Sequence, residues 1–206
     1  VAYDALPTGA PQLDRERRLA IVETAHARGL KVAVHVRKAP DALTSALYRA
    51  DALAHGVSSS PFPPRLATEL ARTGIFVCPT MISRRTFDDL ASGVWQPSSL
   101  GRRIEHRKTL EALLSPDVPH RMRAVGRGFW SFVSEIAAHR ATASESVRAM
   151  YEAGVPLLAG TDSPLVGNIP GASLHQELRL LAGTGVPNAE ILLAATSRPA
   201  RFLDPG

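Results

Sequence analysis

The sequence predicts an α/β fold in which helices alternate with the strands of a parallel sheet. Three observations carry that expectation. Short apolar runs (Lys31 to Val36, Asp51 to Gly56, Ile75 to Met81, Pro156 to Thr161) read as buried strands of the kind found in parallel sheets. Amphipathic stretches stand between them at a repeat of about 20 to 25 residues over the first three runs, which is the rhythm of strand–helix units with right-handed crossovers. Three of the runs end on a polar, chemically capable residue: His35, His55 and Asp162.

In order along the chain, Val1 to Pro11 reads as a loop punctuated by Pro7, Gly9 and Pro11. Asp14 to Arg28 is an amphipathic helix with Leu19, Ile21, Val22 and Ala25 on its apolar face, stopped by Gly29. The run ending in His35 follows. Pro40 to Ala50 reads as a short helix with proline in its first turn, and the His55 strand comes next. Pro64 to Thr73 is a helix closed by Gly74, leading into the third strand, near whose end stands Pro79.

Between residues 82 and 140 the rhythm lapses. Leu100 to Leu114 and Arg121 to His139 read as helical, and Gly93, Pro97, Pro116 and Pro119 divide the region. We read it as a helical insertion, placed where insertions overhang the catalytic face of barrels. Ala143 to Ala153 restores the rhythm and delivers the chain to Asp162. Ser173 to Ala182 and Pro187 to Ala195 are helices, and Arg198 to Leu203 begins one more turn.

Composition narrows the function. The 206 residues suit one domain, 1–206, and fall short of the ~250 of a complete β/α barrel. No run approaches the ~18 apolar residues of a membrane span, and no secretory signal opens the chain, so a cytoplasmic, non-membrane protein is expected. Cys78 is the only cysteine, which excludes an internal disulfide and a cysteine-based zinc site. The net charge is +5, carried almost wholly by arginine. The run with Arg121, Arg123, Arg127, Phe129 and Trp130 reads as a solvated helix face rather than a nucleic-acid patch.

In a parallel sheet every C-terminal strand end points to one side, so His35, His55 and Asp162 are able to converge. Asp162 alone, before Ser163 and Pro164, reads as a cap for the next turn. Two imidazoles and a carboxylate at three equivalent strand ends point instead to a divalent metal such as zinc. His26, His106, His120 and His139 fall in helical stretches and call for no function.

These segments resemble the amidohydrolase superfamily, in its imidazolonepropionase-like and Xaa-Pro-dipeptidase-like branch. Ala25 to His35 is similar to the fourth helix and fifth strand of that barrel, and Asp51 to Gly56 to its sixth strand, with Ala54 where the family has glutamate. Tyr151 to Asp162 is similar to the eighth strand and its approach. Leu174 to Leu178 and Ala194 to Ala200 are similar to the closing helices.

The resemblance implies a partial TIM-type (β/α)8 barrel, about strands five to eight, with a helical insertion (about 82–140) after strand seven. It implies His35 and His55 as metal ligands, Asp162 as metal-touching proton carrier, and His175 on the substrate side. One or two ions, zinc being expected, would serve hydrolysis of carbon–nitrogen bonds in small amide, cyclic amide or dipeptide substrates. The family's His-x-His pair is absent from the sequence, and no lysine precedes Lys31, where the family often has a metal-bridging one. The chain therefore reads as the C-terminal half of a barrel, whose partner would be the other half or a second copy. Such a half is expected to bind metal weakly and to turn over little by itself. The alternatives are an inactive fragment that only binds a partner half, and a mononuclear deaminase of the same superfamily.

Overall fold

In the computed structural model described here, the described residues are 11–60, 62–124, 134–135 and 138–204. The loop expected over Val1 to Pro11 and the arginine–aromatic run around Arg127, Phe129 and Trp130 lie wholly or largely outside them.

Among the described residues, three strands form one parallel sheet in the order β1 (Ala33–His35), β2 (Ala52–Ala54), β3 (Phe76–Cys78). Their register sets Val34, Leu53 and Val77 in one row and His35, Ala54 and Cys78 in the next. Side chains alternate across a sheet, and burial follows the rows. Val34, Leu53 and Val77 have no exposed surface, whereas His35, Ala54 and Cys78 are half-buried. The helices thus seal one face, and the other is the partly open face that carries His35.

The fourth expected strand, 156–161, forms no regular strand. It pairs beside β3 through one parallel bridge, Val77 with Leu157. Val77 N–H donates to Pro156 O at 3.0 Å and Leu158 N–H to Val77 O at 2.7 Å. The next rung would need an N–H from Pro79, which proline lacks. On the side away from β3, Ala159 N–H donates to Ala194 O at 2.8 Å. The expected parallel order stands, and the fourth member is cut to a bridge by its neighbour's proline.

The helices around this sheet follow their sequence signals. Helix α1 (Arg15–His26) starts at Asp14, whose carboxylate accepts the Arg17 N–H at 2.9 Å. Only Val22 on it is fully buried, and Ile21 is exposed, contrary to the expected apolar face. Leu19, Val22 and His26 keep the three-to-four-residue spacing of one stripe, and Ile21 stands about 100° off it. Helices α2 (Ala39–Leu47) and α3 (Pro64–Thr73) each carry proline in the first turn, and α3 closes on left-handed Gly74.

Helix α4 (Met81–Ala91) opens the span read as an insertion and packs on α9 (Ala172–Gly183). Its buried stripe, Ile82, Thr86 and Leu90, has a threonine at its centre, which hid the period from a purely apolar reading. The single helix expected over 100–114 is two, α5 (Ser99–Ile104) and α6 (Arg107–Leu113). The break falls at His106, whose ring accepts the Lys108 N–H and caps α6. Helix α7 (Val118–Ala124) supplies Val118 and Met122 to a second core, with Leu90, Trp95 and Ile169. Helices α8 (Arg140–Glu152), α10 (Asn188–Ala195) and α11 (Ser197–Leu203) follow among the described residues.

Candidate functional site

The site lies at the C-terminal ends of the strands. His35 ends β1, and His55 follows β2. Their rings meet edge to face with centroids 4.6 Å apart and planes at 78°. His55 N–H donates to Cys78 O at 2.9 Å, which ties its backbone to the end of β3.

Among the described residues, three at this end hold left-handed backbone: His55 (φ 72°), Thr80 (φ 48°) and Asp162 (φ 59°). Non-glycine residues adopt this conformation at a cost of roughly 1–2 kcal/mol each, and such residues cluster at functional sites.

Thr80 joins the strand ends. Its hydroxyl donates to Pro79 O at 2.8 Å, and the same Oγ1 stands 2.5 Å from His55 Nδ1. A hydroxyl has one proton. With that proton on Pro79 O, the bond to the ring has Nδ1–H donating to Oγ1, and Nε2 of His55 carries the lone pair. A neutral imidazole whose Nδ1–H is held by a hydrogen bond presents Nε2 as the ligating nitrogen in metal sites.

Asp162 sits beyond the Leu157 bridge and keeps much of its surface open. Partial burial pushes its carboxyl pKa above the ordinary carboxylate value, and the charge of His35 pulls it part of the way back. His35 and Asp162 are thus within electrostatic reach of each other. Gly160, two residues earlier, packs on Cys78 so closely that a Cβ there would stand 2.5 Å from Sγ. The loop after Asp162 is pinned by buried Asn168, whose Nδ2 donates to Thr161 O at 2.7 Å while its Oδ1 accepts the Thr86 hydroxyl at 2.7 Å.

Beneath these residues lies Glu177, with no exposed surface. Its Oε1 accepts the Met81 N–H at 3.0 Å and its Oε2 the Ile82 N–H at 2.7 Å. Burial raises its pKa to about 7, against the lowering pull of those two amides and of Arg84. Burial, with the nearby Glu177 and Asp162 charges, pushes the Cys78 thiol up to about 12.

Of the four side chains expected at the site, the structure brings His35 and His55 into contact and Asp162 into the field of His35. His175 lies exposed in the first turn of α9, outside the described contacts of the other three. Among the described residues, no group of three or more His, Cys, Asp or Glu side chains is arranged to hold a metal ion. The donors present fit two positions of a metal centre, the paired imidazoles, rather than a complete one. Thr80, Asn168 and Glu177 carry no mark in the sequence of a place at this site. A threonine after Cys-Pro and a glutamate two residues past His175 carry no local signal of partners 25 and 96 residues away.

No protein-family model matches the sequence, and neither does any curated protein. Among solved structures, a Xaa-Pro dipeptidase with methionine bound in its active site is similar over 94% of this chain, at 20% identity and a TM-score of 0.64. An amidohydrolase is similar over 96% (25% identity, TM-score 0.61). A prolidase complexed with N-methylphosphonate-L-proline is similar over 94% (22% identity, TM-score 0.63). The chain spans only 39%, 38% and 38% of those three chains. Over nearly its whole length, this chain has the fold of a segment, about two fifths long, of these dipeptidase, prolidase and amidohydrolase structures.

Proposed function

We propose that this chain carries strands five to eight of a metal-dependent amidohydrolase-type barrel that cleaves carbon–nitrogen bonds in small amides or dipeptides. The observation that carries the reading is the edge-to-face pair His35 and His55 at adjacent parallel strand ends. The similarity to a Xaa-Pro dipeptidase and a prolidase supports the substrate class.

In this reading His35 and His55 hold one divalent ion, zinc by ligand type, and further ligands come from outside this pair, since a catalytic zinc takes three protein ligands. The ion would supply polarisation of the scissile carbonyl and activation of water. Asp162 is the proton carrier. A carboxyl with a raised pKa at the open strand end is suited to accept a proton from water and return it to the departing amine. Thr80 fixes the ring of His55, and Asn168 holds the loop that aims Asp162. His175 is assigned no step.

The test is zinc uptake by the purified chain, followed by calorimetry and by histidine ring NMR. Zinc is expected to perturb His35 and His55, weakly because the pair is incomplete, and the His35→Ala, His55→Ala double variant is expected to lose the binding. Uptake unchanged in the double variant overturns the assignment. Hydrolysis of Xaa-Pro dipeptides and N-acyl amino acids is expected to be slight in this chain alone. Any turnover found should vanish in Asp162→Asn.

A further inference from the structure

Thr80 occupies the N-cap of α4, yet its side chain caps nothing. A threonine there ordinarily offers its oxygen to the second or third amide of the helix. This one has turned away, donating to Pro79 O and taking the His55 ring. The first amides of α4 therefore need another acceptor, since a helix start buried without one is costly. Glu177 supplies it from α9, one carboxylate oxygen to each of Met81 and Ile82, across 96 and 95 residues of sequence.

We propose that Glu177 is a positioning residue for His55: by capping α4 in place of Thr80, it releases the Thr80 hydroxyl to hold the His55 ring in its Nδ1–H form. The pieces lie in sequence contact. Met81 and Ile82 directly follow Thr80, so fixing their amides fixes the left-handed turn at Thr80 on which the hydroxyl's aim depends. The surroundings leave Glu177 little freedom. It is sealed from solvent, and Arg84, whose charge acts on it, is itself anchored through Nη2 to Gly56 O at 2.9 Å, next to His55. Glu177 touches no reacting atom; it acts through the backbone of Thr80. The use of the His55 tautomer for metal binding rests on the hydrolase reading, whereas the linkage from Glu177 to Thr80 to His55 does not.

The experiment is a histidine ring 15N spectrum of the purified chain, which distinguishes the two neutral tautomers. The variants are Glu177→Gln, Thr80→Val and Thr80→Ser, and a thermal melt checks each fold. Glutamine keeps the size of glutamate but has one acceptor, so one helix amide loses its partner. Wild type and Thr80→Ser are expected to show His55 as a single Nδ1–H species. Thr80→Val and Glu177→Gln are both expected to show a mixture, and combining them should add nothing at His55. A purely structural carboxylate would lower the melting temperature in Glu177→Gln and leave the His55 spectrum as in wild type; that result overturns the proposal. So does a wild-type His55 protonated on Nε2. Zinc titration of the same samples reads the hydrolase proposal separately. If zinc binds, Glu177→Gln should weaken it about tenfold, the lower range for loss of an outer-shell partner. If zinc leaves His35 and His55 unmoved in wild type, the hydrolase reading fails and the tautomer result still decides this one.

Discussion

Glu177 Oε2 accepts the Ile82 backbone N–H at 2.7 Å inside a part of the molecule closed to water. The carboxylate form is favoured by that bond, by the Met81 amide and by Arg84, and disfavoured by burial, which dominates and raises the pKa from 4.5 to about 7. An acid with a raised folded-state pKa contributes its full stability below the unfolded value and loses it as pH rises through the folded value.

Stability is therefore expected to fall between pH 4.5 and about 7, by on the order of 3 kcal/mol from this group. Asp162, also raised, pulls in the same sense. Urea unfolding at several pH values checks this. Glu177→Gln should be markedly flatter over that window than wild type, and parallel curves would remove Glu177 as the source.

The contact between Gly160 and Cys78 gives a second expectation. A Cβ at 2.5 Å from Sγ forces a shift in a packed region, so Gly160→Ala should cost about 1–3 kcal/mol. Cys78→Ala opens the space, and the double variant should be less destabilised than the sum of the singles. A thiol raised to about 12 is protonated at neutral pH, so native Cys78 should resist alkylation until the chain unfolds. Strict additivity in the cycle would show that the two residues are not in contact.

Much of this arrangement was legible in the sequence, and the limits have physical causes. The strand positions, their parallel order and the neighbouring placement of His35 and His55 follow from apolar runs and from the common direction of parallel strand ends. The shortening of the fourth strand by Pro79 is not legible in the sequence, because it depends on which carbonyl the missing N–H would face. Helix α4 shows no apolar period in the sequence because Ser83 and Thr86 are buried polar residues on its inner side, satisfied by Thr80 O and by Asn168. Glu177 and Thr80 were invisible because long-range hydrogen bonds leave no periodic trace.

Asn168 links α4 to the loop that carries Asp162, donating to Thr161 O and accepting from Thr86. Asn168→Asp places an oxygen where the donor was, facing the Thr161 carbonyl. It should destabilise by about 1–3 kcal/mol, the cost of an unsatisfied buried group, and increase proteolysis within 161–168. Asn168→Ala removes both bonds and should loosen the same loop without the repulsion. Equal protease resistance in all three proteins would show that Asn168 does not hold it.

Asp51 tests whether stability and function are divided between the two ends of the sheet. It lies at the N-terminal edge of β2, at the end of the sheet away from His35 and His55. Its Oδ2 accepts the Val32 N–H at 2.6 Å and stands 2.9 Å from His26 Nε2. Both Asp51 and Ala52 donate their N–H to Val32 O, at 2.9 and 3.2 Å, so the carboxylate closes the pairing of β1 with β2 at its entry. The His26 contact is partly solvent-exposed and adds little; the buried Val32 amide is the larger loss. Asp51→Ala should therefore cost about 1–2 kcal/mol. In barrels the C-terminal strand ends carry chemistry and the N-terminal ends carry stability. The His35 and His55 ring signals of Asp51→Ala, and their response to zinc, should accordingly match wild type at temperatures where both are folded. A change in those signals while the melt shows a fully folded protein would mean that the pairing of β1 with β2 at this end sets the separation of the two imidazoles at the other.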